Sequence, residues 1–437
     1  ASSAYSGATN VNTGVLSVQS NNALGTTVGA TTVASGATLN VTNTVTVAEN
    51  ITISGTGDGG SGAINNDGTN TLSGAITMTG DSRVQSDSGT LTISGVVSGA
   101  GDALEKTGTG NLILSGNNTY TEGTVINAGT LQLQGGSAQA DANAVTVNGG
   151  ILQVDAAETI GSLAGAGNVI LNAVLSTSGG TTYSGVASGT GGVTKLSTDT
   201  FTLSGVNTYT GATTISGGTL QLGDGGTTGS LTATTGITNN SNLVINRSND
   251  FTQATDLNGQ VIAGTGSLTQ QGTGTTTLTE ANTYTGATTV SAGTLSLTGT
   301  GSLNSATTVN GGGTLSGTGT INDNLIVNNG GTFSSAGSGT LGAFTVNGTT
   351  DLQLGSTSLF EIAGTGAGEF DKLTGVTEFT VNGTIDVNLL QSFAPSAGES
   401  FDLVDFTTFS GGTPIFNFDD ALLGAGLSWD TNDFTTN

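Results

Sequence analysis

The chain has 437 residues, with no Cys, no His, 75 Gly, 2 Pro and a formal charge of −25. This composition excludes disulfides, thiol chemistry, Cys/His metal sites and histidine-based hydrolytic triads. Only five residues are Lys or Arg, whereas nucleic acids and anionic membrane surfaces require clustered positive charge, so we expect neither as a partner. No apolar run reaches the roughly 18 residues of a membrane-spanning helix, and we predict no membrane span.

One sequence frame recurs four times along the chain. In each copy a Tyr lies eleven residues before the Leu of a Gly-x-Leu triplet, and an apolar Ile or Val lies six residues after the Tyr. The first copy has only the second half of the frame, from Tyr5 to Val18. The recurring residues are the tyrosines Tyr5, Tyr120, Tyr209 and Tyr284, the leucines Leu16, Leu131, Leu220 and Leu295, and the asparagines Asn118, Asn207 and Asn282.

Most other apolar residues alternate with polar ones in short runs, such as 91–93 and 151–154. This period of two predicts short half-buried strands, and the Gly-rich stretches between them predict turns. A repeat of about 20 residues with three short strands is typical of one coil of a β-solenoid. We therefore predict an all-β fold, a single-stranded parallel β-helix with a right-handed coil and no helix beyond a turn or two, extended as a rod.

The repeated tyrosines allow two interpretations. Each Tyr could pack its ring at a corner of the coil with its hydroxyl at the surface, since Tyr combines an apolar ring with a polar tip. Alternatively, stacked tyrosines could form a ladder that binds sugar rings. The degenerate copy at Tyr183 lacks the Gly-x-Leu partner.

The composition changes near residue 343. Ten of the 14 Phe, both Pro and the single Trp lie from Phe360 onward. We therefore predict two domains, a β-solenoid repeat rod over 1–342 and an acidic, Phe-rich β module over 343–437. The module would consist of wider coils or of a small sandwich that caps the rod, because an open coil is an exposed sheet edge.

The frame at 114–133, 203–222 and 278–297 resembles the autotransporter-associated β-strand repeat, also called the passenger-associated transport repeat. The lead-in strands match as well, with Lys106 and Lys195 at equivalent positions and Gln270 as a departure. The segment from Ala397 to Thr431 resembles the segment that precedes the sorting tail in bacterial surface repeat proteins with PEP-CTERM-like signals. The resemblance implies a secreted or surface-exposed bacterial β-helix.

The resemblance does not identify a function, because such repeats occur in adhesins and matrix proteins and also serve protein export. An autotransporter would continue into a run of roughly ten-residue amphipathic strands for an outer-membrane barrel. That run is absent from this sequence, so we expect either a part beyond it or another export route.

Carboxylates are the only remaining candidates for chemistry. Asp58 and Asp224 precede Gly and are better interpreted as turn residues, and Asp402 and Asp405 would point to opposite faces of a strand. We therefore predict no enzymatic activity and no cofactor, with calcium as the exception to consider. The candidate ligands are Asp419, Asp420, Asp430 and Asp433, and the alternative is an acidic segment that is kept soluble by charge repulsion.

We consider two functions. The first is an extracellular rod that joins copies of itself head-to-tail into a filament, sheath or biofilm matrix fibre, because the half copy at the start would leave strand edges for another subunit. The subunit contact would involve Tyr5, Val11, Leu16, Trp429 and Phe434. The alternative is an adhesin or surface stalk that binds glycans or neighbouring cells, which predicts exposed aromatic platforms or a long loop.

Overall fold

The computed structural model describes residues 5–432 and 434 of the chain. It divides into two compact units, 1–218 and 219–437. Short β-strands form nearly all the regular structure of both units. In the described residues the helices are a single four-residue α-helix, α1 (Gln253–Asp256), and a 3₁₀ turn at Asp58–Gly60. The predicted all-β class is confirmed.

The first unit contains strands of two to eighteen residues. They are β1 Thr9–Val11, β2 Gly14–Val18, β3 Thr31–Val33, β4 Ala37–Thr42, β5 Thr46–Val47, β6 Ile51–Gly55, β7 Ile64–Leu72, β8 Ile76–Ile93, β9 Val97–Ser98, β10 Leu104–Thr107, β11 Asn111–Leu114, β12 Thr124–Ile126, β13 Thr130–Leu133, β14 Ala144–Val147, β15 Ile151–Val154, β16 Glu158–Ile160, β17 Ser162–Gly165, β18 Asn168–Leu171, β19 Leu175–Thr177, β20 Thr182–Tyr183, β21 Ala187–Gly189, β22 Val193–Lys195, β23 Thr200–Leu203, β24 Val206–Asn207 and β25 Thr213–Ile215.

The second unit contains α1 and strands of two to ten residues. They are β26 Thr219–Leu222, β27 Ser230–Leu231, β28 Ile237–Asn239, β29 Asn242–Ile245, β30 Phe251–Thr252, β31 Ile262–Ala263, β32 Ser267–Gln270, β33 Thr275–Leu278, β34 Thr288–Val290, β35 Gly293–Leu297, β36 Ser302–Leu303, β37 Thr307–Val309, β38 Gly313–Gly317, β39 Thr320–Ile321, β40 Leu325–Val327, β41 Thr332–Ser335, β42 Ala343–Val346, β43 Thr349–Leu352, β44 Thr357–Ile362, β45 Lys372–Val381, β46 Thr384–Leu389, β47 Val404–Gly411 and β48 Ile415–Asn417.

Strands in each unit stack in parallel, one coil on the next. In the first unit β11 pairs with β13, β13 with β15 and β15 with β18, which places an apolar side chain of each strand directly on that of the next. The inward residues of this ladder, Leu112, Leu131, Leu152 and Val169, are fully buried. Because the register advances by about 20 residues per strand, the fold is a parallel β-solenoid, as predicted. The right-handedness of its coil stays a prediction.

One copy of the repeated frame is one coil. The first leucine of the frame lies beside its last, Leu114 beside Leu133 in the first unit and Leu278 beside Leu297 in the second. All four side chains are buried, so each frame closes on itself and buries its leucines against the neighbouring coil. The alternation of apolar and polar residues therefore sets which side chains face the core.

The Phe-rich segment continues the parallel ladders of the second unit. Strand β42 pairs with β39, and β45 pairs with both β42 and β43. The strands lengthen to ten residues in β45 and eight in β47. Large rings fill the interior, with the Phe379 and Phe406 centroids 5.6 Å apart. The structure divides the chain after residue 218 instead, and a separate module over 343–437 stays a prediction.

Candidate functional site

The repeat tyrosines lie inside the coil. Tyr120, Tyr209 and Tyr284 are at most 1% exposed, and Tyr183 is equally buried. The prediction of a corner Tyr with its hydroxyl at the surface is therefore wrong. A sugar-binding ladder is excluded for the same rings, because their faces are enclosed. Tyr5 differs, with 41% of its surface exposed.

In each of the four copies of the frame, the tyrosine hydroxyl is held by a threonine four residues later, whereas Tyr183 Oη donates to Gly167 O at 2.7 Å. The distance from Tyr Oη to Thr Oγ1 is 2.7 Å for Tyr120 and Thr124, and 2.6 Å for Tyr284 and Thr288. A buried Tyr needs such a partner for its hydroxyl. Burial raises the pKa of Tyr284 to about 12, so the hydroxyl stays protonated at neutral pH.

These threonines were not among the predicted site residues. The signal was present in the sequence, because a Thr follows the Tyr by four residues in all four copies. The remaining pairs are Tyr5 with Thr9 at 2.6 Å and Tyr209 with Thr213 at 2.7 Å. The first copy thus keeps the bond even where the tyrosine is exposed.

The repeat asparagines join neighbouring coils next to the tyrosines. Asn118 Oδ1 accepts a hydrogen bond from Val97 N at 2.7 Å, and its Nδ2 donates to Ala138 O at 2.6 Å. Asn207 and Asn282 accept from the equivalent backbone N–H groups, at 3.0 Å from Ala187 N and 2.9 Å from Ile262 N. The side chain therefore satisfies backbone groups at the corner, where the strand ladder is interrupted.

A buried amine closes the turn of the lead-in strand. Lys106 is fully buried, and its Nζ donates to the carbonyls of Thr107 at 2.7 Å, Gly108 at 2.9 Å and Ala128 at 3.1 Å. An ammonium group has three donors, so all of them are used. Burial lowers the pKa of Lys106 to about 8, although the nearby Asp87 acts in the opposite direction.

The other two complete copies repeat this arrangement, one with a lysine and one with a glutamine. Lys195 is also fully buried, and its Nζ donates to Ser178 O at 3.0 Å and to Ser197 O at 2.5 Å. In the third copy the departure Gln270 donates through Nε2 to Gly272 O at 2.7 Å. A buried side-chain donor for corner carbonyls is thus the shared requirement, and the positive charge is not.

The remaining three basic residues form ion pairs. Arg83 Nε lies 2.8 Å from Glu105 Oε2, Arg247 Nη1 lies 2.6 Å from Asp256 Oδ1, and Lys372 Nζ lies 2.6 Å from Asp402 Oδ2. Since the chain has five Lys and Arg in all, each of them has a partner within the fold.

The candidate acids behave as structural residues. Asp224 Oδ1 accepts a hydrogen bond from Gly226 N at 3.2 Å, as in an Asx turn, and Asp58 begins a 3₁₀ turn. Asp419 and Asp420 are exposed, and Asp430 Oδ1 accepts from Asn432 N at 3.0 Å. In the part of the chain that the structure describes, no three acidic side chains converge to hold a metal ion. Asp433 lies outside the described residues, and calcium binding stays a prediction.

Two buried acids that the sequence did not reveal fasten a loop in the second unit. Asp371 is fully buried and accepts backbone hydrogen bonds from Gly342 N at 2.9 Å and Glu361 N at 3.1 Å. Glu361 is 2% exposed and accepts from Gly339 N at 2.7 Å. Burial raises the pKa of both acids, to about 7 for Asp371, where the charge of Glu361 adds to the effect.

The second unit is expected to lose stability as the pH rises from 5 to 8. The folded pKa of Asp371 lies above its unfolded value, so its protonation contributes stability that is complete below the unfolded pKa and is lost as the pH rises through about 7. The contribution is about 2–4 kcal/mol. Urea unfolding at pH values from 5 to 8, followed by the fluorescence of Trp429, measures this contribution. Trp429 is the single tryptophan of the chain and belongs to this unit.

The variant Asp371→Asn isolates this contribution from the change in overall charge. It should flatten the pH dependence between 5 and 8, whereas Asp405→Asn, at an exposed acid of the same unit, should keep it. An unchanged slope in Asp371→Asn would contradict the assignment, because repulsion among the other acids would then account for all of it.

Comparison with known protein families identifies the repeat. Four segments match the family described as Passenger-associated-transport-repeat, at residues 1–18, 104–133, 193–222 and 268–297. The predicted resemblance is confirmed, and it includes the lead-in strands that carry Lys106, Lys195 and Gln270. No curated protein matches the chain. Across the described residues, no helix is both long and apolar enough to cross a membrane.

Proposed function

We propose that this chain, which carries four copies of the passenger-associated transport repeat, is a non-enzymatic structural scaffold at a bacterial surface. The observation that carries the proposal is that the recurring polar side chains are buried and bonded within the coil. Tyr120, Asn118 and Lys106 all have fold-internal partners. A catalytic group must instead reach a substrate.

A secreted or surface location follows from the same repeat, whose family description refers to passenger transport. The composition agrees with it. A chain without Cys needs no redox control outside the cell, and a charge of −25 keeps it soluble. The absence of free basic side chains disfavours partners that are recognised through positive charge.

The proposal includes joining of copies end to end into a filament, sheath or matrix fibre. Parallel pairing of strands stacks each coil on the next, and the same backbone groups can stack one copy on another. Tyr5, Leu16, Trp429 and Phe434 are at least partly exposed and could take part, but Val11 is already buried. A coil stacked on Tyr5, from a second copy or from a preceding stretch of chain, would bury it like the other repeat tyrosines.

Sedimentation of the purified chain over a range of concentrations tests this self-association. We expect species larger than the monomer that grow with concentration, and filaments in negative-stain electron microscopy. Leu16→Lys should weaken the association about tenfold or more, because it places an unpaired charge in the contact. Leu354→Lys, at a residue that is 68% exposed in the second unit, should leave it unchanged.

Two outcomes would count against the proposal. A chain that sediments as a monomer at every concentration would remove end-to-end joining. Equal association of wild type and Leu16→Lys would show that the contact lies elsewhere than at Tyr5 and Leu16.

The second candidate is a surface stalk that binds glycans along its side. The repeat tyrosines do not support it, because four of the five tyrosines are buried. The observation that favours it is an open groove in the first unit between residues 141 and 199.

A further inference from the structure

An open groove of about 530 Å³ crosses four successive coils of the first unit. Coils in a parallel ladder lie about 4.8 Å apart, so the groove is about 14 Å long. The polar side chains that line it are Asp141, Ser162, Ser178, Thr181, Ser197 and Asp199.

Backbone forms part of the groove because two of its residues cannot carry side chains. A Cβ on Gly161 would lie 2.2 Å from Ala142 O, and a Cβ on Gly179 would lie 2.6 Å from Gly161 O. Both distances are too short for real contacts, so glycine is required where one coil stacks on the next. The groove consequently has smooth, side-chain-free patches between walls of polar residues.

The walls are rich in hydrogen-bond acceptors. Asp141 and Asp199 are exposed carboxylates, which only accept when ionised. The hydroxyl of Thr181 donates to Leu163 O at 2.5 Å, and that of Ser197 donates to Ser178 O. With their protons engaged in the fold, these two hydroxyl oxygens present lone pairs to the groove. A ligand that donates many hydrogen bonds is the chemical complement.

The positive charge beneath the groove is not available to a ligand. Lys195 is fully buried, and its amine is bonded to the carbonyls of Ser178 and Ser197, two residues of the groove. An anionic polymer would therefore meet two carboxylates and no accessible cation. This arrangement disfavours acidic polysaccharides and favours uncharged ones.

We propose that this groove binds an extended, uncharged polysaccharide, with Asp141, Asp199 and the wall hydroxyls accepting hydrogen bonds from sugar hydroxyl groups. Each of the four coils contributes at least one polar side chain to the groove, in steps of about 4.8 Å, which suits an extended polymer. The inference rests on the second candidate function and is independent of self-association.

Affinity electrophoresis of the full chain tests it, in native gels that contain hydroxyethylcellulose, galactomannan or mixed-linkage β-glucan. We expect retardation by at least one of these neutral polymers and none by polygalacturonate. The double variant Asp141→Ala/Asp199→Ala should lose at least fivefold in affinity. The double variant Asp87→Ala/Glu122→Ala removes the same charge from exposed acids outside the groove and should bind like wild type.

Three results would overturn the assignment. They are no retardation by any of the neutral polymers, stronger retardation by polygalacturonate, and equal loss in the two double variants. The last result would show that overall negative charge, and not the groove, governs the interaction. None of these results affects the sedimentation experiment. Any of them would remove the glycan-binding stalk function, whereas the scaffold function is tested separately by self-association.

Discussion

Replacing Lys106 with Met is expected to lower the free energy of unfolding of the first unit by about 3–5 kcal/mol. Met keeps the length and apolar stem of the side chain but has no donor. The carbonyls of Thr107, Gly108 and Ala128 would then lose the amine that now lies within 3.1 Å of each. Buried acceptors without partners carry a desolvation penalty of about 1–3 kcal/mol each.

The variant Lys106→Gln provides the control, since the third copy places Gln270 at this position and uses it to bind Gly272 O at 2.7 Å. We expect it to lose less than half as much stability as Lys106→Met. Urea unfolding followed by far-ultraviolet circular dichroism gives the overall change, and hydrogen exchange at 104–133 locates it. Equal losses in the two variants would contradict the role of the donor and point to the lost charge or to packing.

The strands and the coil could be predicted from the sequence, because both depend on local periodicity. Alternation with a period of two places Leu131 and Leu295 in the core, where the structure finds them. The fixed spacing from Tyr to Leu predicts one coil per frame, and Leu114 does lie beside Leu133. These properties require only neighbours in sequence and the rule that coils stack.

The polar interior could not be predicted in the same way. Tyr120 was expected to place its hydroxyl at the surface because an enclosed hydroxyl needs a partner, and Thr124 as that partner is clear only when the corner is seen in three dimensions. In the sequence, Lys106 indicates only the resemblance to the repeat family. Its structural role is not apparent there, because a lysine is rarely fully buried. Burial of polar groups depends on which backbone carbonyls the coil leaves unpaired.

Long-range pairs were equally hidden. Glu361 and Asp371 are ten residues apart, and neither belongs to a recurring motif. They come together because the chain turns back through an antiparallel bridge between Ile362 and Phe370, a local reversal in a fold of parallel strands. Period and composition cannot indicate such a reversal.

The second large effect is expected for Gly129→Ala, which should lower the free energy of unfolding of the first unit by about 3–5 kcal/mol. Gly129 is the Gly of the Gly-x-Leu triplet and has a φ of +65°, where an L side chain is strained. An added Cβ would also lie 2.4 Å from the carbonyl oxygens of Gly108 and Gly110 on the neighbouring coil. The backbone of that coil would have to move, which separates the two strands that the frame stacks.

The first copy of the frame distinguishes the effect of backbone strain on stability from the effect of a steric clash with the neighbouring coil. Gly14 occupies the same place in the Gly-x-Leu triplet with a φ of +74°, but a Cβ there would have nothing within 4 Å. Gly14→Ala should therefore lose only the conformational strain, about 1 kcal/mol. Hydrogen exchange at β2 and β13 compares the two variants locally. If both lost the same stability, the glycine would be required by backbone conformation alone, and the tight stacking of coils would not explain why the frame carries it.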